Sequence, residues 1–452
     1  MERNDTIAAI ATAPGRAGVA VVRVSGPDAF SVAERLAGFV PEPGRFRFAK
    51  IKDPMDRGGR TVDEAIVLAF ARPRSYTGED VVELQCHGGS VTPRRVLEAC
   101  FAAGARLARH GEFTERAFLN GRIDYEQAES VLDLIDAKTA RAADEAIEGL
   151  GGRRRREARE LYDTAIGVSA TIEHALDVSE EELPDGFHDS VLSMIADLDS
   201  RLGDAARRAR EGKLLRDGAL VVLAGQPNAG KSSLMNALLG ESRAIVSARP
   251  GTTRDSIEEW LDVSGYPIRL VDTAGIRESG DEIEAEGVRR TEALVSKADV
   301  VLLLTPADYP DCETRLAIDC GEPPGGVVDV VSKCDLLADD ERRRDGRLMV
   351  SAKTGCGLDE LRSEIAARLE RMADSDETAQ PSPGERELSA IIEARDILRP
   401  FAEAGHCASR PLDLVLAANA VRGAAEKLGA LVGATYSEDL VESLFSRFCV
   451  GK

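Results

Sequence analysis

Short apolar runs dominate the first quarter of the chain. GVAVVRVSG (18–26), EAIVLAF (64–70) and DVVELQC (80–86) read as strands, and the stretches near 27–37 and 90–103 carry helical spacing. Residues 1–120 are therefore expected to form an α/β domain. From Ile123 to about Arg216 the strand signal disappears, and Ala, Glu, Arg and Leu recur at helical spacing, as in QAESVLDLIDAKTARAADEAIEGL (127–150). From Ala219 to about Met372, apolar strands (ALVVLAG, IRLVDTAG, DVVLLL, VVDVVSK, RLMVSAK) alternate with helical patterns that end in LDELRSEIAARLERM. That alternation predicts a doubly wound sheet. The polar stretch ADSDETAQPSPGER (373–386) reads as a linker, and helices resume from about Glu387 to Phe448.

Helices thus flank the second α/β region on both sides. The economical organisation is one discontinuous helical domain, 121–216 and 374–452, with an α/β domain, 217–373, inserted into it behind the N-terminal domain 1–120. With 58 Lys+Arg against 79 Asp+Glu the net charge is −21, which excludes broad electrostatic coating of nucleic acid and leaves room for a local basic contact. The strongest basic run, Arg153–Arg156, reads as a solvated helix face before it reads as an RNA patch. The eight cysteines contain no CxxC pair and the five histidines are scattered, so no zinc or iron–sulfur spacing appears. No apolar run approaches the ~18 residues of a membrane span, and MERND lacks the regions of a signal peptide, so a cytoplasmic, membrane-free protein is expected.

Gly225-Gln226-Pro227-Asn228-Ala229-Gly230-Lys231-Ser232 fits GxxxxGK[ST] between the strand ALVVLA and the helical SLMNALL. Glycines there let backbone N–H groups wrap phosphates, Lys231 reaches the terminal ones, and the Ser232 hydroxyl ligates magnesium, with Ser233 beside it. Asp272-Thr273-Ala274-Gly275 ends an apolar strand, where the aspartate can hold the magnesium shell and a Gly amide can meet the γ-phosphate. Between them, Gly251-Thr252-Thr253-Arg254-Asp255 offers a Thr hydroxyl to magnesium, as a γ-phosphate-ordered switch loop requires.

Two later elements choose the base. Ser332-Lys333-Cys334-Asp335 follows the strand VVDVV, and Asp335 can accept from guanine ring and exocyclic N–H groups that adenine does not present. Ser351-Ala352-Lys353 adds backbone contact to the base edge. The usual first residue of the former element is Asn; Ser332 is shorter and loses an amide donor, leaving Asp335 the main discrimination in favour of GTP. The position that carries a water-orienting glutamine in Ras-type sites is Ile276, which cannot orient water. A carboxylate from ESGDEIEAE (278–286), an arginine or a bound cation must then supply catalysis.

With these elements in register, the whole chain resembles the MnmE (TrmE) family of bacterial tRNA modification GTPases. DTIAAIATAPGRAGVAVVRVSG (5–26), SYTGEDVVELQCHGGS (75–90), RHGEFTERAFLNGRIDYEQAESVLDLIDAKT (109–139) and the tail Cys449-Val450-Gly451-Lys452 carry that resemblance. It implies a Ras-like G domain inserted in the helical domain and an N-terminal folate-binding domain that joins a homodimer. It further implies a basic, FAD-containing partner of the GidA (MnmG) type, and modification of carbon 5 of the wobble uridine of certain tRNAs with an aminomethyl or carboxymethylaminomethyl group.

The resemblance also assigns residues. Asn228 and the switch loop Ser247, Ala248, Arg249, Pro250, Gly251 and Thr252 match the potassium-facing positions, with Asn228, Ser247, Arg249 and Thr252 as the ion's own set; Thr253 and Ser232 match the magnesium ligands. Potassium would stand where an arginine finger would, caged when two GTP-bound G domains meet. Glu284 matches the water-positioning carboxylate, and Arg277 and Arg254 are switch residues that steady the dimerised loops. Arg23, Glu79, Arg122 and Lys452 match a pocket for 5-formyl-tetrahydrofolate or a related one-carbon donor, although Arg122 replaces a lysine often found there. Cys449 is expected to serve modification rather than GTP hydrolysis, and His87 to fix a Gly-rich turn. Two other readings compete: a ribosome-assembly GTPase switch, and a folate enzyme regulated by an added G domain.

Overall fold

The computed structural model describes residues 5–56, 58–179, 182–241, 258–272, 293–308, 323–337, 347–375, 386–404, 412–433 and 438–452. They belong to two units, Met1–Leu132 with Thr435–Lys452, and Asp133–Ala434.

The first unit is built on a six-stranded sheet of β1 (Ile7–Ile10), β2 (Val19–Ser25), β3 (Phe46–Lys52), β4 (Thr61–Phe70), β5 (Val81–His87) and β6 (Arg106–Leu107). Its order is β3-β4-β5-β2-β1-β6, antiparallel throughout except that β6 runs parallel to β1. Alternation sends Val22, Val24, Val67, Val82 and Leu84 to one face, where α1 (Ala29–Ala37) and α2 (Thr92–Ala102) cover them with Val32, Leu36 and Val96. On edge strand β3, Phe46 and Phe48 take the other face and remain 74% and 64% exposed, opposite Leu68 and Ile66 of β4.

The other parts of this unit are α3 (Glu112–Leu119), α4 (Tyr125–Asp136) as far as Leu132, and the C-terminal helix Glu438–Ser446 with its tail. The sequence reading assigns 121–216 and 374–452 to the helical domain; by their contacts, 121–132 and 435–452 go with the N-terminal sheet. The cause is an apolar face: Leu444, Phe445 and Phe448 pack with Tyr125, Ala128 and Leu132. The tail is then threaded by backbone, since Val450 pairs with His110 and the Phe113 amide donates to the Lys452 carbonyl at 3.1 Å. Gly451, at φ 106°, is required there, because a Cβ would collide with the Ile10 carbonyl.

The second unit carries α5 (Ala140–Leu150), α6 (Arg153–Leu176), α7 (Phe187–Asp217) and a second six-stranded sheet. That sheet consists of β7 (Ala219–Gly225), β8 (Glu258–Val263), β9 (Tyr266–Asp272), β10 (Val300–Pro306), β11 (Val327–Ser332) and β12 (Leu348–Met349) in the order β12-β11-β10-β7-β9-β8. Only β8, paired with β9, is antiparallel among these strands. β7 is buried on both faces from Ala219 to Ala224, as a central parallel strand must be. α8 (Lys231–Glu241) and α9 (Leu358–Asp374) contribute Leu234, Leu238, Leu361 and Ile365 to the larger core.

Two further helices, α10 (Arg386–Ala404) and α11 (Leu414–Val432), come after the inserted sheet yet share one core with α6 and α7. Leu161, Ala165, Val168 and Ile172 face Ile195, Leu198 and Leu202, together with Ile391, Ala394 and Leu398 and with Val421, Ala424 and Leu428, each series at three-and-four spacing. The remaining helix, Glu438–Ser446 of the first unit, is α12. The chain is thus α/β plus all-α, with a doubly wound P-loop domain inserted in a discontinuous helical bundle. No helix among the described residues is long and apolar enough to cross a membrane.

Candidate functional site

β7 ends at Gly225, whose φ of 145° and approach to the Leu304 carbonyl, 2.5 Å from where a Cβ would stand, admit only glycine. The loop then passes through Asn228 at φ 65° and Gly230 at φ 87° before α8 begins at Lys231. Two left-handed residues in three turn successive amides inward at a helix N-terminus, the geometry that attracts phosphate. Lys231 is only 5% exposed, and its Nζ donates to the carbonyls of Gly225 (2.9 Å) and Gln226 (2.8 Å), so the ammonium stands across the mouth of the loop. Ser233, next to it in the first turn of α8, is exposed.

From the neighbouring strand, Asp272 closes the other side. Ser232 Oγ donates to Asp272 Oδ2 at 2.5 Å. Two hard oxygens, one of them anionic, therefore meet beside the phosphate loop, a donor pair suited to magnesium. Burial of Asp272 is complete, so without a cation or this hydroxyl its charge would be costly.

The loop after β11 is fastened at three points. Ser332 Oγ, in a residue 4% exposed, donates to the Ala229 carbonyl at 2.5 Å and so ties the end of β11 to the phosphate loop. Ser351 Oγ donates to Asp335 Oδ1 at 2.6 Å and aims that carboxylate. Lys333 sits at φ 59° and pairs with Asp308 at 3.0 Å. A single 3-10 turn, Cys334–Leu336, holds Asp335, and Ala352 and Lys353 follow Ser351 into the turn after β12. The serine in place of the usual asparagine retains a tether across the site while its one proton is spent on Ala229.

In the N-terminal unit, Arg23 is held from three directions. Its Nε donates to Glu83 at 2.9 Å, and its guanidinium lies over the rings of Tyr76 and Phe113, 5.1 Å and 5.7 Å from their centroids. Lys452 is near enough that burial, together with the Arg23 charge, pulls its ammonium below the usual lysine range. Glu79 is part of a polar cluster: Ser25 Oγ donates to it at 2.8 Å and Arg116 Nη1 at 3.1 Å, while Arg116 also binds Asp5 and Glu112. Arg122 is exposed, its amide bonded to the Ala117 carbonyl.

The structure thus brings Arg23 and Lys452 together, ties Glu79 to its own arginine, and leaves Arg122 at the surface. Sequence reasoning missed Arg116, Glu112, Arg106 and Asp5. Glu112 and Arg116 stand four apart in GEFTERAFLNG, a visible helical pair, but Asp5 and Glu79 come from distant segments. Cys449 is exposed, whereas burial pushes the thiols of Cys86 and Cys100 up to about 11 and about 12, as expected of small hydrophobes. His87 caps the end of β5 through Asp63, which takes both its amide and its Nδ1 at 2.8 Å. The run Arg153–Arg156 is largely paired: Arg153 with Glu145, Glu148 and Glu157, Arg154 with Asp133, and Arg156 with the Gly151 carbonyl. Ser247, Ala248, Arg249, Pro250, Gly251, Thr252, Thr253 and Arg254, then Thr273, Ala274, Gly275, Ile276, Arg277 and Glu284, lie outside the described residues.

Comparison with known proteins covers the chain almost end to end. The family model described as the GTP-binding protein TrmE N-terminus matches residues 6–122, and that described as the MnmE helical domain matches 126–449. A protein of Azoarcus sp. (strain BH72) named tRNA modification GTPase MnmE is 42% identical over 455 residues, covering 99% of this chain and 98% of its own. Proteins of the same name from Alkalilimnicola ehrlichii and Nitrosospira multiformis are 43% and 42% identical, with 99% and 100% of both chains covered. Among solved structures, the G domain of the T. maritima FeoB iron transporter is 27% identical over 33% of this chain and 98% of its own, at a TM-score of 0.25.

Proposed function

This chain belongs to the MnmE family of tRNA modification GTPases, and from that premise we propose that it hydrolyses GTP to drive modification of tRNA. The observation that carries the reading is coverage. Relatives of that name match 99% of the chain at more than 40% identity, including the N-terminal unit and the tail that a P-loop GTPase alone does not need. More specifically, the reaction is addition of an aminomethyl or carboxymethylaminomethyl group at carbon 5 of the wobble uridine, carried out in the cytoplasm with an FAD-containing partner of the MnmG type.

In the G domain, Lys231 and the amides of Asn228, Ala229 and Gly230 bind the β- and γ-phosphates, and Asp335 reads guanine. Magnesium is held by Ser232 and Thr253, with Asp272 behind Ser232, and supplies charge neutralisation on the phosphates. Potassium, held by Asn228, Ser247, Arg249 and Thr252, supplies the positive charge that an arginine would otherwise bring. With Ile276 unable to orient water, Glu284 takes that task, and Arg277 steadies the loop.

In the N-terminal unit, a reduced folate of the 5-formyl-tetrahydrofolate type binds with its pterin edge on Glu79 and its carboxylates on Arg23, Arg122 and Lys452. A fixed, largely buried cation between two aromatic rings, Arg23 between Tyr76 and Phe113, supports this, since a pteridine ring and anionic tail need both. Homodimerisation through this unit accords with Phe46 and Phe48 lying exposed on an edge strand. Cys449 acts in modification.

The decisive experiment is mass spectrometry of nucleosides from bulk tRNA of a strain lacking the gene, with and without a plasmid copy. Loss and restoration of the carbon-5 aminomethyl-type uridines is expected; an unchanged profile would favour the ribosome-assembly reading. Turnover compared in potassium and sodium at equal ionic strength tests the cation, and equal rates would remove it from the mechanism.

A further inference from the structure

The turn of the β8–β9 hairpin is gripped from outside its own sheet. Val263 pairs with Tyr266 across a two-residue turn, Ser264 at φ 54° and Gly265 at φ 89°, whose positive dihedrals match the twist of the flanking strands. Asp262 Oδ1 accepts from the Gly265 amide at 2.7 Å and fixes the turn from within. From the helical segment, Thr139 Oγ1 donates to the Gly265 carbonyl at 2.7 Å. Lys138 Nζ stands 4.2 Å from the centroid of Trp260, and the Arg141 guanidinium 4.3 Å from that of Tyr266.

Two of these contacts are locked by a second one. Thr139 is the N-cap of α5 and accepts from the Ala142 amide, so its hydroxyl is oriented before it reaches Gly265. Arg141 is paired with Glu211 of α7. A side chain at Gly265 would press on Arg141, 3.0 Å from its Cδ, and one at Gly218 would collide with the Trp260 ring.

β9 is seven residues long and runs from Tyr266, 2% exposed in this grip, to Asp272, which holds Ser232. At about 3.3 Å per residue, a pleated strand hydrogen-bonded on both sides transmits a change at one end to the other. We infer that Lys138, Thr139 and Arg141 are positioning residues for GTP hydrolysis: gripping the hairpin turn, they set where Asp272 stands against Ser232. Coupling is reciprocal, so magnesium nucleotide bound at Ser232 and Asp272 must act back on the grip. Trp260, the single tryptophan of the chain, reports it.

The test uses the full chain and four variants. Thr139→Asp keeps an N-cap acceptor but has no proton for Gly265; Thr139→Ser keeps both; Lys138→Met keeps the stem over Trp260 and drops the charge; Asp262→Ala disturbs the turn from its own side. Tryptophan emission is read with GDP and with magnesium and guanosine 5′-(β,γ-imido)triphosphate, alongside the magnesium dependence of GTP turnover. In the unsubstituted chain the two nucleotide states differ in emission. Thr139→Asp raises the magnesium needed for half-maximal turnover about fivefold and abolishes the difference, Thr139→Ser restores both, Lys138→Met loses the difference in emission, and Asp262→Ala behaves as Thr139→Asp does. The inference rests on the GTPase reading, and calorimetry with GDP separates the two. No GDP binding by the unsubstituted chain overturns that reading and the grip with it. GDP binding with identical emission in both states, or Thr139→Asp with unaltered magnesium dependence, overturns the grip alone.

Discussion

Ser332 Oγ lies 2.5 Å from the carbonyl of Ala229, so the end of β11 and the phosphate loop share a buried hydrogen bond. Removing the hydroxyl strands a buried carbonyl, a loss of roughly 1–3 kcal/mol. Ser332→Ala is therefore expected to weaken GDP binding about tenfold by calorimetry. Ser332→Asn, with two amide protons, is expected to bind at least as tightly as the unsubstituted chain.

Ser351 aims Asp335 through a 2.6 Å hydrogen bond. Ser351→Ala should reduce the preference for GTP over ATP while leaving magnesium dependence unchanged, because only the carboxylate proposed to meet guanine is loosened. Competition of the two nucleotides for turnover measures it. Asp335→Ala should remove most of the preference.

Acid should act on the N-terminal unit through Glu112. Burial pushes its carboxyl up, but Arg106, the Arg109 amide and Arg116 overcome that and hold it at about 2, against 4.5 in an unfolded chain. Its folded value is depressed, so its contribution, about 3 kcal/mol, is complete above about pH 4.5 and lost as pH falls toward about 2. The protection of the α3 amides against hydrogen exchange, relative to the intrinsic rate at each pH, should fall across that window in the full chain. Glu112→Gln should exchange faster at neutral pH and show a flatter acid response.

Gly451→Ala forces a Cβ onto the Ile10 carbonyl at a φ of 106° that disfavours L side chains. The tail should leave its groove and, on the folate reading proposed above, weaken binding of 5-formyl-tetrahydrofolate at least tenfold by calorimetry. GTP turnover, whose residues are in the other unit, should stay within about twofold of the original rate.

The doubly wound sheet and the bundle were legible because their patterns are local: β7 is apolar throughout, and α6 repeats Leu161, Ala165, Val168 and Ile172. The phosphate loop was legible for the same reason, its geometry being written in eight consecutive residues. What escaped depends on distance along the chain. The helical character of 438–446 was plain, but its apolar face does not say which face it meets, and Phe445 finds Tyr125 and Leu132 rather than the bundle. Arg116 is one of several charges in GEFTERAFLNG, and only the fold brings Asp5 and Glu79 to it from other segments. Arg153 and Arg154 were basic in sequence and neutralised in space by Glu145 and Asp133.

The tail also sets a timetable. His110 Nδ1 lies 3.0 Å from the Phe448 carbonyl, a partner 338 residues further on. At about 5–20 residues per second of synthesis, the N-terminal sheet waits roughly 20–70 s for its last wall, with Phe113 lacking the carbonyl that its amide will meet. During that wait the G-domain sheet is completed and can already hold nucleotide. A chain released before Phe448 would therefore emerge as a GTP consumer with an unfinished N-terminal unit, which makes the synthesis of Phe448–Lys452 the point at which turnover and chemistry become parts of one molecule.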